Sequence, residues 1–295
     1  MNLQKWLENN TRSLHGKTIA ITGSTGGLGL ELCRYLASLG ASLILLDRNR
    51  ERSSRHRDEL LRLYPNITVQ CVSVDLSDIE TVKNAVKQLK SEPLDLFIHN
   101  AGAYSIPRKA CSTGLDNVFQ INFASPYYMI RELLPHLRTR HGHVMAVGSI
   151  AHRYSKTDSK DVDFSTRTRA SLVYGNAKRY LMYALYTLFE SETDVTLSIT
   201  HPGITFTNIT AHYPKPIFAI IKHPMKIIFM KPKKAALSLL SGCFVDSKSD
   251  EWIGPRLFDI WGLPKKKALK AIATSEREEI AQNAEKIYRK LKEEK

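Results

Sequence analysis

The chain has 295 residues, of which 43% are hydrophobic and 24% charged, a composition that excludes a wholly disordered protein. It contains no apolar run of 18 residues, so we expect no membrane-spanning helix. The four cysteines lie far apart, which argues against a disulfide framework or a metal site, and we expect each to be a small buried residue. The N-terminal residues lack the apolar core of a secretion signal, which predicts an intracellular, cytoplasmic protein.

The positive charge is large and unevenly spread. Lysine and arginine outnumber aspartate and glutamate by 43 to 29, a formal net charge of +14. The stretch from Val195 to Val245 has six lysines and no acidic residue. Three interpretations stay open: a solvated face, peripheral contact with an anionic membrane, or an anionic substrate or nucleic acid. Nucleic acid is the least favoured of these, because no recognition motif accompanies the charge.

Short apolar runs alternate with segments of helical spacing along most of the chain. Strands are predicted at Lys17–Thr22, Ser42–Leu46, Thr68–Val74, Leu94–His99, His143–Ser149, Val195–Thr200 and near Arg256–Ile260. Helices are predicted at Leu28–Leu39, before Leu63, at Asp78–Lys90, from Val118 past Pro126 towards Arg138, at Leu172–Glu190 and after Thr274. This alternation predicts an α/β fold, a Rossmann-like doubly wound parallel sheet with helices on both faces.

No linker composition or internal repeat divides the sequence, so we interpret residues 1–295 as a single domain. Residues 1–16 would be an N-terminal extension of that domain. Residues from about 264 to 295 would form a basic C-terminal tail that contains the last helix.

A glycine-rich loop, TGSTGGLG at Thr22–Gly29, connects the first strand to the first helix. Such a loop lets the backbone approach a pyrophosphate, while the helix N-terminus offers free N–H groups to it. Any tight turn can also use glycine, but the position after the first strand favours a nucleotide. The predicted cofactor contacts in this loop are Gly23, Thr25, Gly27, Leu28 and Gly29.

Asp47 and Arg48 follow the second predicted strand. A carboxylate there can accept hydrogen bonds from the adenosine ribose hydroxyls and repel a 2′-phosphate, which favours NAD. Arg48 argues for NADP, since a guanidinium can bind that phosphate. We expect NAD, with NADP as the alternative. Two structural interpretations also stay open: Asp47 could cap the next helix, and Arg48 could be ordinary surface charge.

Tyr174 and Lys178 lie four residues apart on the long predicted helix, so their side chains share a face. Ser149 ends the strand before that helix. Because ligands of open α/β sheets bind at the carboxyl ends of strands, we expect these three residues to lie close together.

The order of these motifs resembles the classical short-chain dehydrogenase/reductase family. The motifs are TGSTGGLG, Asp75-Leu76, HNAG at His99–Gly102, Asn122, Ser149, YGNAK and HPGITFT at His201–Thr207. They span about residues 17–207. The separation of 25 residues between Ser149 and Tyr174 is long for the family and is similar to the retinol dehydrogenase and protochlorophyllide reductase branch.

The resemblance implies an NAD(P)-dependent oxidoreductase that interconverts an alcohol and a carbonyl. Tyr174 would be the general acid/base, and Lys178 would stabilise its phenolate and hold the nicotinamide ribose. Ser149 would donate to the reacting oxygen, and Asn122 would support a proton-relay water. Further cofactor contacts implied by the resemblance are Asp75, Leu76, Asn100, Ala101, Gly102, Pro202, Gly203 and Thr207.

The family's substrate lid would span about residues 208–235, where this sequence is rich in Ile, Phe, Met and Pro. An apolar lid favours a small hydrophobic alcohol or carbonyl substrate, although the same residues could merely pack onto the core. The resemblance also implies a homo-oligomer. The rival function is a dinucleotide-binding sensor or scaffold that has lost catalysis.

Overall fold

The computed structural model describes residues 3–204, 230–247 and 250–293. In these residues one sheet of eight strands has the order β3-β2-β1-β4-β5-β6-β7-β8. The strands are β1 (Thr18–Thr22), β2 (Ser42–Asp47), β3 (Val69–Ser73), β4 (Leu94–His99), β5 (His143–Val147), β6 (Thr196–Thr200), β7 (Glu251–Leu257) and β8 (Trp261–Ala268). Neighbouring strands from β3 to β7 are parallel, and β8 is antiparallel to β7. The predicted doubly wound sheet is confirmed, with one antiparallel strand added at its edge.

Helices cover both faces of the sheet. They are α1 (Leu3–Asn10), α2 (Gly27–Ser38), α3 (Arg50–Leu63), α4 (Ile79–Leu89), α5 (Asn117–Phe119), α6 (Ser125–Arg138), α7 (Ala170–Phe189), α8 (Pro232–Gly242) and α9 (Thr274–Glu293). A π-helical turn (Gln120–Ala124) joins α5 to α6. Because both faces are covered, central strands such as β2 and β4 are buried nearly throughout.

Each face has its own hydrophobic core. On one side α1, α2, α3 and α8 pack against the sheet, and Trp6 of α1 is buried there. On the other side α4, α6, α7 and α9 form the larger core. Helix α9 contributes a buried stripe of residues at helical spacing, Ile280, Ala284, Ile287 and Leu291. The last helix is therefore part of the fold of this chain.

The C-terminal part departs most from expectation. The strand predicted near Arg256–Ile260 is wrong in position, because β7 ends at Leu257 and the next three residues form a turn with left-handed backbone at Phe258 and Asp259. The first residues of the predicted basic tail lie in β8, which pairs in register with β7. Its Lys266 and Lys267 form ion pairs with Glu251 of β7 and Asp259 of the turn. Residues 232–235, predicted as the end of the lid, begin α8.

All four cysteines are free, but only Cys33 is fully buried and the other three are half-buried. Across residues 3–204, 230–247 and 250–293, none of the helices has the length and apolar character needed to cross a bilayer.

Candidate active site

The glycine loop lines a cleft at the carboxyl ends of β1, β2 and β4. Gly23 has a left-handed backbone, and a Cβ on it would lie 2.9 Å from Cα of Ala101. A Cβ on Gly29 would lie 2.2 Å from the carbonyl oxygen of Gly23. The N-cap of α2 is Gly26, which has no side chain to cap the first N–H groups of the helix. The loop therefore offers the close approach and the free donors that a pyrophosphate requires.

The loop is tied to the strand beside it. Asn100 donates from Nδ2 to the carbonyl oxygens of Thr22 and Gly23, at 3.0 Å each. The hydroxyl of Thr22 accepts from the backbone N–H groups of Asn100 and Ala101. These bonds hold the predicted residues Asn100–Gly102 against the glycine loop, where they line the same cleft.

Asp47 lies at the cleft, but its carboxylate is occupied by the protein. Oδ2 accepts from the hydroxyls of Ser24 at 2.5 Å and Ser53 at 2.9 Å. Oδ1 accepts from both the backbone N–H and the hydroxyl of Thr25, at 3.2 Å each. Asp47 is buried by these contacts. These contacts brace the glycine loop, and Asn49 rather than Asp47 caps α3. The expected binding of ribose hydroxyls by Asp47 stays a prediction.

Arg48 projects from the end of β2 into the same cleft. Its side chain is exposed, and its guanidinium lies 3.8 Å from Oδ2 of Asp75. The other oxygen of Asp75 accepts from the backbone N–H and hydroxyl of Ser77. Leu76 and Leu28 complete this part of the lining.

Asn122 lies in the π-helical turn between α5 and α6. Its Nδ2 donates to the carbonyls of Val118 and Ala103, at 2.8 Å each. A Cβ on Gly102 would lie 2.9 Å from Oδ1 of Asn122 and 3.8 Å from Nζ of Lys178. The predicted residues Gly102, Asn122 and Lys178 therefore converge.

Ser149, Tyr174 and Lys178 meet at the carboxyl end of β5. Ser149 caps a short 3₁₀ turn and hydrogen-bonds the hydroxyl of Tyr174. Lys178 is fully buried, and its Nζ donates to the carbonyl of Val147 at 2.8 Å. The same ammonium lies 5.8 Å from the centre of the Tyr174 ring. The structure brings together all four side chains expected to be catalytic.

Burial dominates the electrostatics at this end of the sheet. It raises the pKa of Tyr174 to about 12, against the opposing effect of the hydrogen bond from Ser149. It lowers the pKa of Lys178 to about 7. Burial, reinforced by the nearby Lys178 charge, also holds the pKa of His99 well below its usual value. Tyr174 is therefore a protonated acid at neutral pH, and His99 is neutral.

Comparison with known proteins agrees with this geometry. The model of the family described as short chain dehydrogenase matches residues 17–159. Short-chain dehydrogenase TIC 32 A, chloroplastic, of Brassica napus is 30% identical over 70% of this chain and 69% of its own length. An uncharacterized oxidoreductase of Schizosaccharomyces pombe is 26% identical over 81% of this chain and 76% of its own. The chain belongs to the short-chain dehydrogenase family.

Solved structures show the same fold. An uncharacterized protein from Mycobacterium Paratuberculosis superposes with a TM-score of 0.76 at 20% identity, covering 95% of this chain and 96% of that one. L-sorbose reductase from Gluconobacter frateurii, solved with NADPH and L-sorbose, has a TM-score of 0.61 at 20% identity, covering 80% and 97%. The family is one of oxidoreductases, and a nicotinamide dinucleotide is the cofactor that family membership supports.

A second tyrosine faces Tyr174. The ring of Tyr104 meets that of Tyr174 edge-on, with centroids 5.3 Å apart at 86°. Val118, Phe164 and Val173 form an apolar cluster against which Tyr174 packs. We did not single out Tyr104 from the sequence; its position two residues after the HNAG motif was the available signal.

The long insertion before Tyr174 is a folded loop. Arg108 donates to the carboxylate of Asp116 at 2.5 Å and to the carbonyl of Phe164 at 2.9 Å. Asp163 accepts from the backbone N–H of Asp116 at 2.7 Å. Buried carboxylates thus fasten the insertion beside Tyr174, where it forms a wall of the catalytic end.

The Pro-Gly motif follows β6. Gly203 has a left-handed backbone, and a Cβ there would lie 2.6 Å from the carbonyl oxygen of Ile260 and 2.9 Å from Cε of Met230. Pro202 is buried next to it. Thr207 and most of the predicted lid lie outside the described residues.

Proposed function

We propose that this chain is an NADP(H)-dependent oxidoreductase that interconverts an alcohol and a carbonyl with Tyr174 as general acid/base. The observation that carries the proposal is the cluster of Ser149, Tyr174 and Lys178 beside the glycine-loop cleft, in which Lys178 is buried and the other two are half-buried. A sensor or scaffold has no use for a tyrosine and a lysine kept in so costly an environment.

The bound cofactor would supply a hydride to the carbonyl carbon in reduction and accept it in oxidation. Tyr174 donates its phenolic proton to the substrate oxygen in reduction, and takes the proton back in oxidation. Ser149 donates a hydrogen bond to the same oxygen, which holds it within reach of the phenol. Lys178 places a positive charge beside the phenol and so stabilises its phenolate form. Asn122 would hold the relay water near Lys178.

We propose a hydrophobic substrate. The described walls around Tyr174 support this choice, because Tyr104 packs edge-on against it and the adjoining apolar cluster includes Ile106, Leu172 and Phe164. An apolar wall favours an apolar substrate, which loses few hydrogen bonds to water when it binds. The apolar sequence of residues 208–230 agrees with this.

The choice of NADP over NAD rests on the two residues at the end of β2. The Asp47 carboxylate accepts four hydrogen bonds from Ser24, Thr25 and Ser53, so it has little capacity left for ribose hydroxyls. Arg48 lines the cleft with its guanidinium exposed, and Arg52 lies one helical turn further on. These guanidinium groups would bind the 2′-phosphate.

Turnover of the Tyr174→Phe variant tests the catalytic role. We expect carbonyl reduction to fall at least about 10²-fold, because the ring keeps its packing and loses its proton. Affinity for NADPH should stay at the wild-type value. Unchanged turnover would contradict the assignment of Tyr174, and absent turnover in wild type with intact nucleotide binding would favour a sensor.

A titration with NADPH and NADH tests the cofactor. We expect tighter binding of NADPH, and a loss of about tenfold or more in its affinity with Arg48→Ala. Arg55→Ala is the matched control, because Arg55 lies on the adjoining α3 but pairs with Glu51. Tighter binding of NADH would indicate that Asp47 determines the cofactor preference. Binding of neither nucleotide would contradict the proposed function.

A single domain is also part of the proposal. The sheet is continuous from β1 to β8, and α9 packs against α7 on one face of it, so the residues that the structure describes share one pair of cores. The homo-oligomer implied by the resemblance stays a prediction.

A further inference from the structure

The hairpin formed by β7 and β8 ends in an exposed apolar tip at the outer edge of the sheet. Phe258 is 84% exposed, Leu257 51% and Trp261 36%. Six large hydrophobic side chains are exposed in the described part of the chain, and three of them lie in the five residues from Leu257 to Trp261. A cluster of this kind is unlike the scattered single residues of an ordinary surface, and it indicates an interaction site.

The tip is held firmly in this arrangement. Phe258 and Asp259 have φ angles of 53° and 58°, a left-handed conformation that is costly for residues other than glycine. The buried Asp259 carboxylate accepts from Lys267 at 2.7 Å and from Arg153 at 3.2 Å. Its backbone carbonyl accepts from Nε2 of His201 at 2.8 Å. The fold therefore turns Asp259 inward and presents Phe258 to the outside.

The surface around the tip is positively charged. The two carboxylates of the hairpin, Glu251 and Asp259, are paired with Lys266 at 3.2 Å and Lys267 at 2.7 Å. Further exposed cations on or next to the hairpin are Arg256, Lys265 and Lys270. Aromatic side chains surrounded by lysine and arginine fit the headgroup region of a bilayer that contains anionic lipids.

The hairpin also adjoins the catalytic end of the sheet. The carbonyl of Ile260, in the turn, lies against Gly203, and the side chain of Pro255 lies against the same glycine. Gly203 follows β6 on the edge where Ser149 follows β5. A surface bound at the tip would therefore lie close to the proposed substrate site.

We propose that this hairpin tip docks the protein on an anionic lipid surface. Phe258, Leu257 and Trp261 enter the interfacial region, and the basic residues contact the lipid headgroups. Docking there would bring the active site to substrates dissolved in the membrane. The inference concerns lipid binding alone and is measured without turnover, so it stands or falls apart from the proposed redox activity.

Co-sedimentation of the full chain with vesicles tests the proposal. We expect binding to vesicles of phosphatidylcholine mixed with phosphatidylglycerol, little binding to phosphatidylcholine alone, and weakening as NaCl is raised. Phe258→Ser should lower vesicle affinity about tenfold, since one buried aromatic side chain is removed from the interface. Arg256→Glu combined with Lys265→Glu should lower it as well, most strongly at low salt.

Leu63→Ser is the matched control. Leu63 is 48% exposed and lies at the end of α3, near the opposite edge of the sheet, so its substitution should leave vesicle binding unchanged. Thermal unfolding of each variant verifies that the fold is kept.

Tryptophan fluorescence gives a second readout on the unmodified protein. Trp6 and Trp252 are buried, so a vesicle-induced blue shift and quenching by brominated lipid would report Trp261. The proposal is overturned if wild type does not bind anionic vesicles, or if Phe258→Ser binds them as wild type does. It is also overturned if wild type is a dimer that Phe258→Ser converts to a monomer without vesicle binding, because the tip is then an interface between copies of this chain.

Discussion

The nucleotide end and the catalytic end of the proposed active site differ in how far their polar side chains are hydrogen-bonded within the protein. At the nucleotide end, the side chains make several hydrogen bonds within the protein, as those of Asp47, Asn100 and Thr22 show. At the catalytic end, Lys178 is buried and Tyr174 half-buried, both with few partners, and desolvation moves both of their pKa values away from the ordinary ones. His99, between them, leaves a buried ring nitrogen without a hydrogen-bond partner among the described residues.

The nucleotide end is therefore arranged to hold a ligand, and the catalytic end to carry out a reaction. A braced loop keeps its shape before any ligand arrives, which lowers the entropy cost of binding. A desolvated tyrosine and lysine with few hydrogen-bond partners lower the stability of the fold. A reaction that uses the tyrosine proton and the lysine charge explains why they are kept there. Variants at the two ends should therefore fail in different ways.

Lys178→Met should have the largest effect on activity and little on stability. We expect carbonyl reduction to fall by about 10²–10⁴-fold, because the charge beside Tyr174 is lost. Stability should hold or rise, because methionine fills a similar volume and removes a buried charge. Activity assays and thermal unfolding measure the two effects.

The pH dependence of stability gives the control for that variant. The pKa of Lys178 falls from 10.5 in the unfolded chain to about 7 in the folded one, so the unfolded state binds more protons between those values. Wild-type stability should therefore rise with pH across this window relative to Lys178→Met. A variant that unfolds readily at every pH would show that Lys178 is needed for the fold.

Alcohol oxidation should accelerate with pH, while carbonyl reduction should not. Oxidation requires the phenolate of Tyr174, and a pKa raised to about 12 leaves that form scarce at neutral pH. Its fraction grows about tenfold per pH unit below the pKa, and single-turnover oxidation should follow it. Reduction requires the protonated phenol, which is already dominant. An oxidation rate that is flat from pH 7 to about pH 9 would contradict Tyr174 as the base.

Gly29→Ala should break the nucleotide end without touching the chemistry. Its Cβ would lie 2.2 Å from the Gly23 carbonyl oxygen and 2.9 Å from Cα of Ser24, both backbone atoms that cannot rotate away. We expect NADPH affinity to fall about tenfold or more. Gly26→Ala is the matched control, since its Cβ would make an ordinary contact of 3.5 Å. Equal affinity in both variants would show that loop shape does not limit binding.

Much of this site could be predicted from sequence because its determinants are local. The β-branched run before Gly23 indicates a buried strand, and four-residue spacing on a helix places Tyr174 and Lys178 on one face. Parallel strands then bring the ends of β1, β4 and β5 to a common edge.

The rest depends on contacts between distant residues. The sequence of β8, with three consecutive lysines, indicates a solvated tail, and it becomes a strand only because β7 pairs with it. Asp47 carries the pattern of a ribose reader, and its saturation depends on Ser53, which only the start of α3 brings into reach. Tyr104 has a local motif beside it, but its contact with Tyr174 requires the loop after β4 to meet α7.

Asp47→Asn gives the smallest effect we predict. It distinguishes a carboxylate that braces the glycine loop from one that binds the ribose hydroxyls of the cofactor. An amide presents an NH₂ group where the carboxylate accepts from Ser24 and Ser53 or from Thr25. We expect the protein without nucleotide to lose about 1–3 kcal/mol of unfolding free energy, a shift in Tm of several degrees. Preference for NADPH over NADH should persist. If stability stays at the wild-type value while NADH affinity collapses, Asp47 reads the ribose and the nucleotide end is not pre-braced.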